Sequence, residues 1–91
     1  MKARKPKLIE WDGDVATFQE QVPHGENYDM DWPGEFEARI THKNVYWAVT
    51  IFPGQPFEIK FKEYLVQRLY VTNQVKRILQ AYLQGYYDGN G

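Results

Sequence analysis

Ninety-one residues, 43% of them hydrophobic and 16% aromatic, are enough for one hydrophobic core and too few for a second. Cysteine and serine are both absent, which excludes disulfides, thiolate metal sites and any catalytic triad built on Ser or Cys, and favours a cytosolic address over secretion. The net charge of -1 hides a sorted distribution. Nine Asp or Glu and no Lys or Arg lie between Leu8 and Ala38, Lys2, Arg4, Lys5 and Lys7 come before, and seven Lys or Arg against only Glu58, Glu63 and Asp88 come after.

Residues 1–7 are polar, basic and interrupted by Pro6, with no apolar segment of signal-peptide type, and read as a basic flexible tail. Leu8 to Trp11 and Val15 to Gln21 flank Asp12-Gly13, a dipeptide that tolerates the positive φ of a tight turn, and predict a first hairpin. Val22 to Gly34 carries Pro23, Gly25, Pro33 and Gly34 and predicts a long loop. From Glu35 to Thr41 the pattern alternates, with Phe36, Ala38 and Ile40 on the side predicted to be buried.

His42-Lys43-Asn44 forms a polar turn into Val45 to Phe52, whose two apolar faces predict a central strand. This is also the longest mostly apolar run, far short of the ~20 residues of a membrane-spanning helix. Pro53-Gly54-Gln55-Pro56 reverses the chain into a further strand, in which Phe57, Ile59 and Phe61 alternate with Glu58, Lys60 and Lys62.

Beyond Lys62 the period lengthens. Tyr64, Val71, Val75, Ile78, Leu79, Tyr82 and Tyr86 share one helical stripe, predicting a C-terminal helix over about Glu63 to Gln84 that stops at Gly85. Arg68 falls inside the stripe and Val66, Leu69 and Tyr70 fall outside it, which a break near Thr72-Asn73 would accommodate. The expected fold is α+β: an antiparallel β-meander of four to five strands with one long amphipathic helix packed on one face. Residues 8–86 form the single domain, and 87–91 a flexible C-terminal tail. The second apolar helix face makes a homodimer through the C-terminal helix one expectation.

Chemistry is sparse. His24 and His42 are the only groups that titrate near neutrality without help, and neither lies in a metal-ligand or catalytic pattern; both read as loop and turn residues. Asn27, Asp29 and Asp31 imitate the start of a calcium loop, but Trp32 stands where the turn glycine belongs and Ala38 where the bidentate Glu belongs. No Gly-rich phosphate loop is present, and no cofactor is expected.

Two constellations remain. Glu26, Tyr28, Asp29, Met30, Asp31, Trp32 and Glu35 interleave carboxylates with large apolar anchors, the composition of a protein interface: anchors supply desolvation energy, charges supply steering. This predicts a non-enzymatic interaction module whose loop 22–35 docks on a basic protein surface, and inhibits by charge mimicry if that surface holds nucleic acid. Small inhibitors made by mobile elements, phage among them, often share that plan, an analogy only. The plainer reading packs Met30 and Trp32 under the loop as core.

The alternative is a small nucleic-acid-binding domain using the basic tail, Arg39, Lys43, Lys60, Lys62, Lys76 and Arg77 for phosphates and Tyr46, Trp47 and the tyrosines of the C-terminal segment for base stacking. Lys60 and Lys62 are also what an edge strand needs to block unwanted pairing. A further reading sets acidic strands beside basic ones, so that opposite charges fix register across the ladder.

Overall fold

The computed structural model describes residues 2–21 and 34–90. Five strands, β1 (Lys7–Asp12), β2 (Val15–Gln19), β3 (Glu35–Lys43), β4 (Tyr46–Ile51) and β5 (Ile59–Tyr64), precede one helix, α1 (Arg68–Asn90). The strands pair antiparallel in the order β1-β2-β3-β4-β5, an open meander whose edges are β1 and β5. The fold is therefore α+β. No helix of the described residues is long and apolar enough to cross a membrane.

Alternation decides which face is covered. Ala16 and Phe18, Ala38 and Ile40, and Val49 and Ile51 point to one side and are buried there with Val71, Val75 and Leu79 of α1. Leu8, Trp11, Phe36, Trp47 and Phe61 widen this core. The opposite face of the sheet has no covering layer among the described residues.

Tight turns keep consecutive strands adjacent. Asp12 pairs with Val15, so the first loop is Gly13-Asp14, one residue beyond the predicted dipeptide, and Gly13 supplies the positive φ of 60° at its first position. Asn44, at φ 36°, does the same between β3 and β4, where Lys43 pairs with Tyr46. The next reversal takes longer: Phe52 (φ 58°) and Gly54 (φ 80°) turn the chain out of β4, and β5 starts at Ile59 instead of Phe57.

The C-terminal third departs from expectation in three ways. Glu63 and Tyr64 belong to β5, opposite Trp47 and Tyr46, so the helix starts later than predicted. Thr72 does not break it, because its hydroxyl donates back to the Leu69 carbonyl at 2.9 Å inside a continuous helix. Gly85 does not end it either: the glycine is simply absorbed, and the last turns are held from outside. Arg68 fits the apolar stripe because its guanidinium lies over the Trp11 ring, 4.8 Å from the centroid.

The outside hold comes from the residues expected to be a solvated tail. Ala3 and Pro6 are buried instead. The Ala3 N–H donates to Gln84 Oε1 at 2.7 Å, Gln80 Nε2 donates to the Ala3 carbonyl at 3.0 Å, and Gln21 Nε2 donates to the Lys5 carbonyl at 2.6 Å. The helix likewise includes residues 87–90, expected as a second tail, with Gln84 Nε2 donating to Asp88 Oδ1.

Candidate interaction surface

Because the chain is a meander, order along the sequence becomes position across the sheet. On the uncovered face, cross-strand rows read Lys7, Gln19, Glu35; then Glu10, Thr17, Glu37; then Asp12, Val15, Arg39, Thr50, Lys60. Further rows place Thr41, Ala48 and Lys62, then Lys43, Tyr46 and Tyr64. The sorted charge of the sequence therefore survives folding. Asp12 and Lys60 stand at opposite ends of one row, four strand spacings or about 19 Å apart, roughly two Debye lengths at physiological salt.

No directly opposed pair in the ladder joins an acid to a base, which overturns register-setting by cross-strand charge. Glu10, Asp12, Asp14, Glu35 and Glu37 are all exposed, and among the described residues the ion pair formed is Lys60 Nζ to Glu58 Oε1 at 3.3 Å. Asp14 accepts from the Thr41 hydroxyl at 3.3 Å, which ties the first turn to β3 without neutralising the carboxylate.

Glu20 differs from the other acids. Half-buried, it accepts from the Tyr87 hydroxyl and from the Gly34 N–H, while its own N–H donates to the Gly34 carbonyl at 2.8 Å. Gly34 is suited to this approach, since an added Cβ would lie 3.2 Å from Glu20 Oε2. The two flanks of segment 22–33 thus meet at one point beside the end of α1. Of the predicted acidic and aromatic constellation, Glu35 is on the uncovered face beside that point; Glu26, Tyr28, Asp29, Met30, Asp31 and Trp32, with His24 and the calcium-like Asn27, lie outside the described residues.

The basic constellation is divided by the fold. Lys43, Lys60 and Lys62 share the uncovered face with Arg39. Trp47 is on the covered face, stacked on His42 with centroids 4.4 Å apart and donating its indole N–H to the Val66 carbonyl at 2.9 Å. Lys76 and Arg77 belong to α1, on the other layer. Lys60 is engaged by Glu58, and Lys62 lies over the Tyr46 ring at 4.8 Å. Tyr46 and Tyr64 adjoin at 5.3 Å on the uncovered face, where rings could stack bases, whereas Trp47, expected in that role together with Tyr46, is on the covered one.

Glu58 carries a pKa lowered from its ordinary value, chiefly by the hydrogen bond from the Gly54 N–H and further by Lys60. Among the described residues no group of three His, Asp or Glu is placed to hold a metal ion. Of Val66, Leu69 and Tyr70, the apolar residues behind the expectation of self-association, Val66 precedes α1 and packs against the core, whereas Leu69 and Tyr70 are exposed near the helix start, beside Leu65, 86% exposed at φ 56°.

An aromatic cleft lies beyond the residues singled out from sequence. Phe36, Phe52, Phe57 and Tyr82 converge on a cleft of about 420 Å³ where β3, the turn after β4 and α1 meet, on the opposite side of β3 from the rows that hold Glu35 and Glu37. Its available signal was a Phe on each side of the Pro53-to-Pro56 turn. Comparison with protein families, with characterised proteins and with solved structures finds no match to this chain.

Proposed function

We propose that the protein is a non-enzymatic interaction module that docks its acidic side, β1 to β3 with segment 22–35, on a cationic surface of another protein. The observation that carries this reading is the set of five exposed carboxylates, Glu10, Asp12, Asp14, Glu35 and Glu37, at one side of an uncovered sheet face and unpaired among the described residues. Lys7 shares β1 with two of them and Arg39 adjoins Glu37, but Glu10 and Asp12 are separated from Lys60 and Lys62 by the width of the sheet, and the five carboxylates together project a negative field that steers a cationic partner and repels polyanions. A partner whose cationic surface ordinarily holds nucleic acid is then inhibited by competition.

The nucleic-acid reading keeps one observation in its favour: Arg39, Lys43, Lys60 and Lys62 share a face with Tyr46 and Tyr64. Two of those four cations already have contacts within the chain, and β5 is an edge strand, where lysine prevents strand addition without any ligand.

Fluorescence anisotropy separates the two. A labelled nona-arginine peptide should bind with affinity that falls as salt rises, and reversal of Glu10, Asp12, Asp14 and Glu37 to Lys should weaken it about 100-fold or more, four lost attractions becoming repulsions. A labelled single-stranded oligonucleotide should not bind. Salt-sensitive binding of the oligonucleotide with none of the peptide would reverse the assignment.

A further inference from the structure

We infer that the uncovered face of the sheet is closed by a second copy of this chain, turned about a two-fold axis so that the acidic side of each copy meets the basic side of the other. This association does not require the cationic partner of the proposed function; it competes with that partner for the same carboxylates.

Charge on the face is divided along a diagonal. Glu10 and Asp12 on β1, with Glu35 and Glu37 at the start of β3, occupy one part of it; Lys60 and Lys62 on β5, with Lys43 at the end of β3, occupy the other. Lys7 sits at a corner of the acidic part. Arg39 lies in the middle, two residues from Glu37 on the same face of β3 and so roughly 7 Å along the strand, where that carboxylate offsets it.

This division selects the occupant. A uniformly cationic surface laid over the whole face would meet Lys43, Lys60 and Lys62, and a polyanion would meet the carboxylates, so each is repelled by half of what it covers. A copy of the chain rotated about an axis lying along the dividing line presents the reverse arrangement, and every attraction is then made twice. Because that line runs oblique to the strands, the strands of the two copies cross steeply, as in orthogonally packed sheets.

The middle of the face permits close approach. Val15, Thr17, Thr41, Ala48 and Thr50 are short, uncharged and half-buried there. Hollows of about 530 and 470 Å³ adjoin Arg39, the first reaching Asp14 and Lys43 and the second Glu37 and Lys60, so long side chains of a copy have space to enter. The lysine heads remain in water: the Lys60 side chain is 72% exposed despite its contact with Glu58, and a surface pair of that kind contributes little and exchanges readily. The face measures roughly 24 by 20 Å, a footprint of about 500 Å² per copy, which suits a transient dimer and not an obligate one.

Sedimentation equilibrium of the whole protein at low salt should show a mass that rises with concentration from the monomer toward the dimer, with association at least about ten-fold weaker at high salt. Glu10→Lys, Asp12→Lys and Glu37→Lys together should weaken it by about ten-fold or more, and so should Lys43→Glu, Lys60→Glu and Lys62→Glu together. All six changes in one chain should restore it, since the two sides then exchange sign while the net charge stays that of the native chain. The amide spectrum checks that each variant folds, and the neutral set Glu10→Gln, Asp12→Asn and Glu37→Gln, expected to weaken association several-fold, repeats the test should a reversed set not fold. Concentration-dependent amide shifts should centre on Thr17, Ala48 and Thr50.

A monomer at every concentration at low salt, a six-site variant that fails to recover association, or shifts centred on Leu69 and Tyr70 of α1 overturns the face-to-face dimer. Nona-arginine binding that persists in a monomeric protein leaves the proposed function standing; a protein that dimerises in this way but does not bind nona-arginine removes that function alone.

Discussion

The two sides of the uncovered sheet face are made from the same strand geometry yet treat their charges differently. On β1 to β3 the carboxylates of Glu10, Asp12, Asp14, Glu35 and Glu37 face solvent without an ion pair among the described residues, whereas on β5 Lys60 is held by Glu58 and Lys62 lies over Tyr46. Charge that is engaged within its own chain is screened before any partner arrives. Under the proposed function the acidic side supplies the long-range attraction, and the lysines of β5 suit an edge strand that must resist strand addition.

The comparison assumes that both sides belong to one cooperative unit, and Leu79→Ala tests that assumption with the largest expected effect. Leu79 is fully buried between the helix and the sheet, so its truncation should cost about 2 to 5 kcal/mol. Amide signals from β1 and β5 should then disappear at the same urea concentration; separate midpoints would break the molecule into two units.

Reversing the basic side sharpens the contrast. Lys43, Lys60 and Lys62 changed together to Glu should tighten nona-arginine binding by several-fold, in the sense opposite to reversal of the acids. Loss of binding would place the contact across both sides.

Glycine substitutions give smaller and opposite effects. Gly13→Ala forces a Cβ into positive φ in the acidic hairpin and should destabilise by about 1 to 2 kcal/mol. Gly85→Ala puts its Cβ into open space on a helix and should stabilise by about 0.5 to 1 kcal/mol. Thermal melts of the two variants moving in opposite directions would confirm both local geometries.

The smallest effect is electrostatic. The folded-state pKa of Glu58 is depressed, so its contribution is present above the unfolded value and is lost as pH falls through the lower folded one. The Gly54 amide should report a titration with a midpoint below the ordinary glutamate value of 4.5, and Glu58→Gln should remove it.

Much of the sheet was legible because period-2 alternation and turn residues are local signals: Phe36, Ala38 and Ile40, and Val49 and Ile51, declared their face without any neighbour. The α1 stripe was equally legible, but its boundaries were not. Thr72 and Gly85 carry local preferences for breaking helices: Thr72 turns its hydroxyl back on the Leu69 carbonyl within α1, and at Gly85 tertiary contacts from Ala3 and Glu20 to the flanking Gln84 and Tyr87 outweigh the preference. Segregated charge could be read from the chain only once meander topology was known, since a crossover would have interleaved the same strands. The aromatic cleft was hidden because Phe36, Phe52 and Tyr82 come from three elements, and a pattern within one segment cannot report their convergence.

The clasp of Ala3 by Gln80 and Gln84 makes opposite ends of the polypeptide mutually dependent. Deleting residues 2–6 would remove one of two lateral supports of the end of α1 and leave the other, Glu20 on Tyr87, so amide hydrogen exchange there should accelerate although no helical residue has been altered. An affinity tag appended ahead of Ala3 would press on the same joint, and one placed after Asn90 would spare it.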